Sequence, residues 1–84
     1  MKLNRGVVIS FLDGEWIAYD GEAETMYQFN EVGGEILMAI QEGKKTKEEI
    51  VGVILNKFEV NKKQLRNDLE EFLDKMKSQG LVVE

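Results

Sequence analysis

The chain has 84 residues, 16 acidic and 11 basic, for a net charge of −5 at neutral pH. A chain of this length forms one domain that buries roughly 60–65% of the surface exposed by its unfolded form, which leaves no room for a deep catalytic cleft. It contains no cysteine and no histidine, so disulfides and the usual soft metal-ligand sets are excluded, and its negative charge repels a phosphate backbone at long range.

The N-terminal apolar run, Val7 to Leu12, is interrupted by Ser10 and followed by Asp13. It is too short for a signal-peptide core or a bilayer span, so a cytoplasmic protein with no membrane partner is expected. High Lys and Glu with no Pro would suit a thermophile, but nine Asn and Gln residues weigh against that.

Three strands are predicted first, at about 6–12, 15–19 and 24–29. The run `GVVISFL` is β-branched and aromatic, Asp13-Gly14 is a two-residue hairpin signal because Gly tolerates positive φ, and `EWIAY` alternates. Asp20-Gly21 marks a second turn. In `ETMYQF`, Thr25, Tyr27 and Phe29 fall on one face, with Met26 and Gln28 on the other.

Three helices are predicted next, at about 31–42, 46–58 and 62–79. Asn30 is an N-cap, Glu31 sits in the favoured first turn, and Val32, Ile36, Leu37 and Ile40 form a stripe that Gly43 ends. Thr46 and Glu49 have capping-box spacing, and Ile50, Val53, Ile54, Leu55 and Phe58 give the second helix its apolar face. Asn61 with Gln64 repeats the cap, Leu65, Leu69, Phe72, Leu73 and Met76 form the third stripe, and Gly80 closes the helix. The segment Leu81 to Glu84 suits a short strand or an apolar plug. The sum is an α+β fold, a winged-helix-like arrangement with a three-stranded antiparallel N-terminal sheet followed by three helices.

Chemistry is scarce. With no His, no Cys and only Ser10 and Ser78, the chain lacks both a group titrating near neutrality and an activated nucleophile, so it is not expected to be an enzyme. Carboxylates such as Glu70, Glu71 and Asp74 read as solvated helix faces. No catalytic residue, metal site or cofactor is expected. Gly33-Gly34 lacks phosphate-loop spacing and suits close helix packing instead.

A meander has two edges, and the third strand is weakly guarded: it has no Pro, no Lys, and charge only at Glu24. An extended peptide could pair along it, taking affinity from backbone bonds and selectivity from side-chain pockets. Tyr27 and Phe29 are read equally well as core residues, which leaves Met26 and Gln28 as the stronger candidate contacts.

Phe29-Asn30 before a helix, Gly43 with Thr46 and Ile50 after it, and `KFEVNKKQLRNDLEEFLDKMKSQGLV` together resemble the PqqD-like proteins, the precursor-peptide recognition elements of ribosomally made, post-translationally modified peptide pathways. The similarity covers nearly the whole chain and lies in the order and spacing of its motifs. It implies a non-catalytic, peptide-binding chaperone of natural product biosynthesis. Such a protein captures a precursor leader peptide as an added strand and presents it to a modifying enzyme such as a radical-SAM protein, cyclase or leader peptidase. Pyrroloquinoline quinone biosynthesis is one such pathway, and lasso-peptide maturation is another. Carried over to this sequence, Thr25, Met26, Tyr27, Gln28 and Phe29 would pair with the leader, with Leu65, Asp68, Leu69, Phe72 and Lys75 facing it from the third helix. Asp68 would meet a basic leader residue, or be an ordinary solvated carboxylate.

Two rival readings remain. One is winged-helix DNA binding through Lys62, Lys63 and Arg66, which Asp68, Glu70, Glu71 and Asp74 oppose within two turns. The other is a scaffold in which two copies exchange strands, giving a homodimer through the same edge.

Overall fold

A computed structural model describes residues 1–84. Its elements run β1 (Lys2–Leu3), β2 (Val7–Leu12), β3 (Glu15–Asp20), β4 (Thr25–Phe29), α1 (Glu31–Gln41), α2 (Lys47–Lys57), α3 (Lys62–Ser78) and β5 (Val82–Val83). The architecture is α+β: an antiparallel sheet in the order β2-β3-β4, packed on one face by α1 with α2 and α3 following behind it, and a separate β1-β5 pair.

The hairpin between β2 and β3 turns through Asp13 and Gly14 at φ 53° and 80°. Positive φ at both central positions lets the turn follow the right-handed twist of its strands. At the other end, the Asp20 carboxylate accepts from the backbone N–H of Glu22 and of Ala23, at 3.0 and 3.1 Å, so this buried acid is satisfied by the turn it shapes.

Inward residues Val7, Ile9 and Ala18 are buried against the helices. Ile9, Ala18 and Tyr27 form one cross-strand row. The helix caps are as their spacing suggests: Asn30 Oδ1 accepts from Gly33 N–H, and Thr46 with Glu49 forms a complete capping box. Asn61 caps α3 by accepting from Gln64 N–H, without the reciprocal bond of a capping box, and the Gln64 side chain is turned along the helix so that its Nε2 donates to Asp68.

The apolar faces need two adjustments. In α2 the buried residues are Ile50, Val51 and Ile54, whereas Val53, Leu55 and Phe58 are partly buried. In α3, Leu65, Leu69, Leu73 and Met76 are buried, and Phe72 stands at the margin of the stripe. The close-packing expectation for the glycine pair is met most sharply at Gly34, where a Cβ would lie 2.1 Å from Cγ of Trp16.

The last segment is both strand and plug. Leu81 and Val82 are buried, while Val82 and Val83 pair with Leu3 and Lys2. The N-terminal partner, β1, carries no sequence signal of its own. No helix is long and apolar enough to cross a membrane.

Candidate functional site: the open edge of β4

In an antiparallel ladder, facing residues alternate between pairs that exchange hydrogen bonds and pairs that do not. The Gly21 N–H donates to the Gly6 carbonyl at 2.9 Å, which makes Gly6/Gly21 a bonded pair and sets the parity of the whole sheet. Counting along the register, Glu15, Ile17 and Tyr19 bond toward β2, so Trp16, Ala18 and Asp20 bond toward β4. Their partners are Phe29, Tyr27 and Thr25. Met26 and Gln28 therefore aim both their N–H and C=O groups away from the sheet, at the open edge.

The opposite edge is occupied. Ile9, whose polar groups point outward by the same parity, donates its N–H to Oε1 of Gln41 at 2.8 Å, and its carbonyl faces Nε2 of the same amide at 3.5 Å. Val7 N–H is likewise bonded, to the Asn4 carbonyl at 3.1 Å. The outer edge of β2 is thus occupied at Val7 and Ile9, the latter by a side-chain amide from α1, while β4 keeps both Met26 and Gln28 free to pair. Because β5 pairs only with β1, the chain's own last segment leaves β4 uncovered.

Beside that free edge lies a groove of about 580 Å³ between the end of β4, α1 and α3. Gln28, Phe29 and Asn30 form its strand side, and Val32, Gly33 and Ile36 its α1 side. Val60 and Asn61 stand at the start of α3, and Gln64, Leu65, Asp68, Leu69 and Phe72 form the far wall. Phe29 and Phe72 meet edge to face with centroids 5.9 Å apart, fixing the distance between strand and helix. Gly33 permits this approach, since a Cβ there would stand 3.2 Å from Phe72.

Seven of the thirteen lining residues are hydrophobic, and Asp68 is the one charged group. Its Oδ1 accepts from Gln64 Nε2 at 2.8 Å, which leaves its other oxygen free to accept from a ligand. The groove can therefore hold apolar side chains and one donor or cation. A strand added along Met26 and Gln28 would send alternate side chains into it, from the positions opposite Tyr27 and Phe29.

Of the residues singled out from sequence, Gln28, Phe29, Leu65, Asp68, Leu69 and Phe72 come together around the groove. Thr25, Met26 and Tyr27 lie along the same strand but outside its walls. Lys75 lies two turns beyond Asp68, also outside the lining residues. The residues missed are Asn30, Val32, Gly33, Ile36, Val60, Asn61 and Gln64. Helix periodicity marks Asn30, Val32, Ile36, Asn61 and Gln64 only as caps and core, because nothing in a helix period shows that its first turn borders an opening. The basic patch proposed for DNA loses Arg66, which is bonded through Nη2 to Glu48 Oε2 at 2.7 Å.

A second, smaller hollow of about 400 Å³ lies at the β2–β3 hairpin end and shares Gln28, Phe29 and Asn30 with the groove. Phe11 and Trp16, 4.9 Å apart, form its aromatic side. No cluster of carboxylates is arranged to hold a metal ion.

Comparison with known proteins adds three findings. The family model described as coenzyme PQQ synthesis protein D (PqqD) matches residues 15–82. One solved structure, TbiB1 in complex with the TbiA(beta) leader peptide, is 30% identical, with a TM-score of 0.84 over 96% of this chain and 93% of its own. A lasso peptide synthetase B1 complexed with the leader peptide is 16% identical and shares the fold, with a TM-score of 0.81 over 99% of this chain and 96% of its own. No curated protein sequence matches the chain.

Proposed function

The chain belongs to the PqqD family, and from that premise we propose that it is a recognition protein that captures the leader of a ribosomally made precursor peptide and presents it to a modifying enzyme. The leader pairs with Met26 and Gln28 as a fourth strand and lays alternate side chains into the groove against α3. The observation that carries this reading is the asymmetry of the sheet: Gln41 occupies the middle of the β2 edge at Ile9, whereas β4 is free along an apolar groove. The likeness to two structures solved with leader peptides supports it.

Magnitudes assign the roles. Met26 and Gln28 offer four backbone groups, each worth about 0.5–1.5 kcal/mol net. That sum barely meets an association cost of at least ~4 kcal/mol. Each apolar leader side chain fully buried in the groove adds about 1.5–3 kcal/mol, so the groove walled by Leu65, Leu69 and Phe72 supplies most of the affinity and the edge supplies register. Asp68 selects a basic residue or donor at one leader position. Chemistry is left to the partner, a radical-SAM protein, cyclase or leader peptidase, and the capture protein works in the cytoplasm.

The test is titration of the isotopically labelled chain with leader segments of the precursor peptides encoded beside its gene, with the TbiA(beta) leader as a further probe. Micromolar or tighter binding with shifts at Met26 to Phe29 is expected. If no leader binds in that range and those amides stay unperturbed, the reading fails.

A further inference from the structure

The outward face of the three-stranded sheet has no helix on it. Val8, Leu12, Tyr19 and Met26 are 53%, 61%, 46% and 63% exposed, with Ile17 half-buried among them. Val8, Tyr19 and Met26 form one cross-strand row, Ser10, Ile17 and Gln28 the next, with Ile17 its apolar member, and Leu12 lies beyond it opposite Glu15. Apolar side chains gathered on a wet face confer nothing on an isolated monomer, and contiguous exposed patches of this kind mark interaction surfaces.

Charge narrows the occupant. From Gly6 to Phe29, the strands and their turns hold five carboxylates, of which only Asp20 is buried, and no lysine or arginine. Glu15 belongs to the outward face, where it accepts from the Gln28 amide at 3.2 Å. Asp13 lies in the turn at one end, and Glu22 and Glu24 lie in the turn at the other. Arg5, 3.9 Å from Glu22, offsets that carboxylate alone. A second copy of the chain would set one acidic border against another, and an anionic lipid surface would be repelled in the same way. A protein face with an apolar centre and a Lys/Arg border matches both features.

We propose that this face docks the enzyme that receives the captured peptide, and that the enzyme presents an apolar patch bordered by basic residues. The inference rests on the leader-capture reading and extends it. A strand added at β4 places the side chains opposite Met26 and Gln28 on this same outward face, widening it from three strands to four. The enzyme therefore reads chain and leader together. By linkage, it binds the loaded chain more tightly than the empty one, and the leader gains the same factor from the enzyme.

The experiment uses the purified modifying enzyme encoded beside this chain's gene, titrated against wild type, the pair Val8→Ser with Tyr19→Ser, and Asp13→Asn. Each is measured with and without leader. All three positions are exposed, and Asn tolerates the positive φ of the turn, so melting curves should stay near that of wild type. The double variant is expected to keep leader affinity within about twofold, because its positions lie outside the groove. Its affinity for the enzyme should fall about tenfold or more. Asp13→Asn should slow association and flatten its salt dependence. The proposal is overturned if the double variant binds the enzyme as tightly as wild type, or if wild type is a dimer that this variant disperses. It is equally overturned if the enzyme ignores wild type with and without leader. Loss of leader capture itself would appear separately, as unmoved Met26 and Gln28 amides, and enzyme binding to the empty chain would still test the face.

Discussion

Gln28 carries much of the account, because its backbone faces outward while its neighbours Tyr27 and Phe29 hold the sheet. A proline at an edge position with no ladder donor is tolerated, whereas one in a bonded position breaks the sheet. Gln28→Pro should therefore leave the melting temperature within a few degrees of wild type and abolish leader capture, as read by calorimetric titration. A collapse in melting temperature would show the opposite parity. Two glycines make a matched pair. Gly52 in α2 has open space for at least 4 Å around the place a Cβ would take, so Gly52→Ala should gain about 1 kcal/mol of helix propensity. At Gly34 the Trp16 ring stands 2.1 Å from that Cβ, and overpacking of about 1–3 kcal/mol should override the same gain; chemical denaturation separates the two. Glu49 adds a pH signature. Backbone N–H donation from Lys45, then from Thr46, holds its carboxyl below the ordinary value of 4.5. Its contribution is present above the unfolded pKa and is lost as pH falls through the lower folded one. Glu49→Gln should flatten that acid limb of the stability curve. These caps were legible in sequence because each spans only three residues. The direction of the Gln28 N–H was not, because it follows from a single ladder bond between Gly6 and Gly21.

At the scale of elements, the contrast between β2 and β4 decides which strand can accept a partner. The composition of β4 marks it as weakly guarded, yet β2 also lacks Pro and charge. What disqualifies β2 is the Gln41 amide, 32 residues away from Ile9 in the chain, and no local pattern reports a contact at that separation. Gln41→Ala should expose the Ile9 N–H and C=O to water, cost about 0.5–1.5 kcal/mol for the lost hydrogen bond, and raise self-association at high concentration. Sedimentation velocity over a concentration series measures this; a variant as monomeric as wild type would show that α1 alone shields that edge. The helices are legible in length and stripe because caps and period act locally. Sequence favours Val53 over Val51 in α2 because burial there depends on how α1 and α3 meet it, whereas Phe72 belongs both to the apolar stripe and to the groove.

The whole molecule is arranged so that its termini stabilise each other and stay clear of the site. Asn4 adds bonds to Gly80 and Leu81 beside the β1–β5 pair, and the Lys77 ammonium bonds the Glu84 carboxylate. The short β1 carries too few residues for any period, so this closure was invisible in sequence, although the three-strand, three-helix order was readable throughout. What results is a small sheet with one blocked edge, one open edge and a groove held by the Phe29–Phe72 contact. The most direct test is backbone amide hydrogen exchange with and without a leader peptide encoded beside the gene. The expected result is new protection confined to the Met26 and Gln28 amides of β4, with Ile9 unchanged. Protection appearing along β2, or a bound leader that leaves Met26 and Gln28 exchanging as fast as in the free chain, would contradict strand addition at this edge.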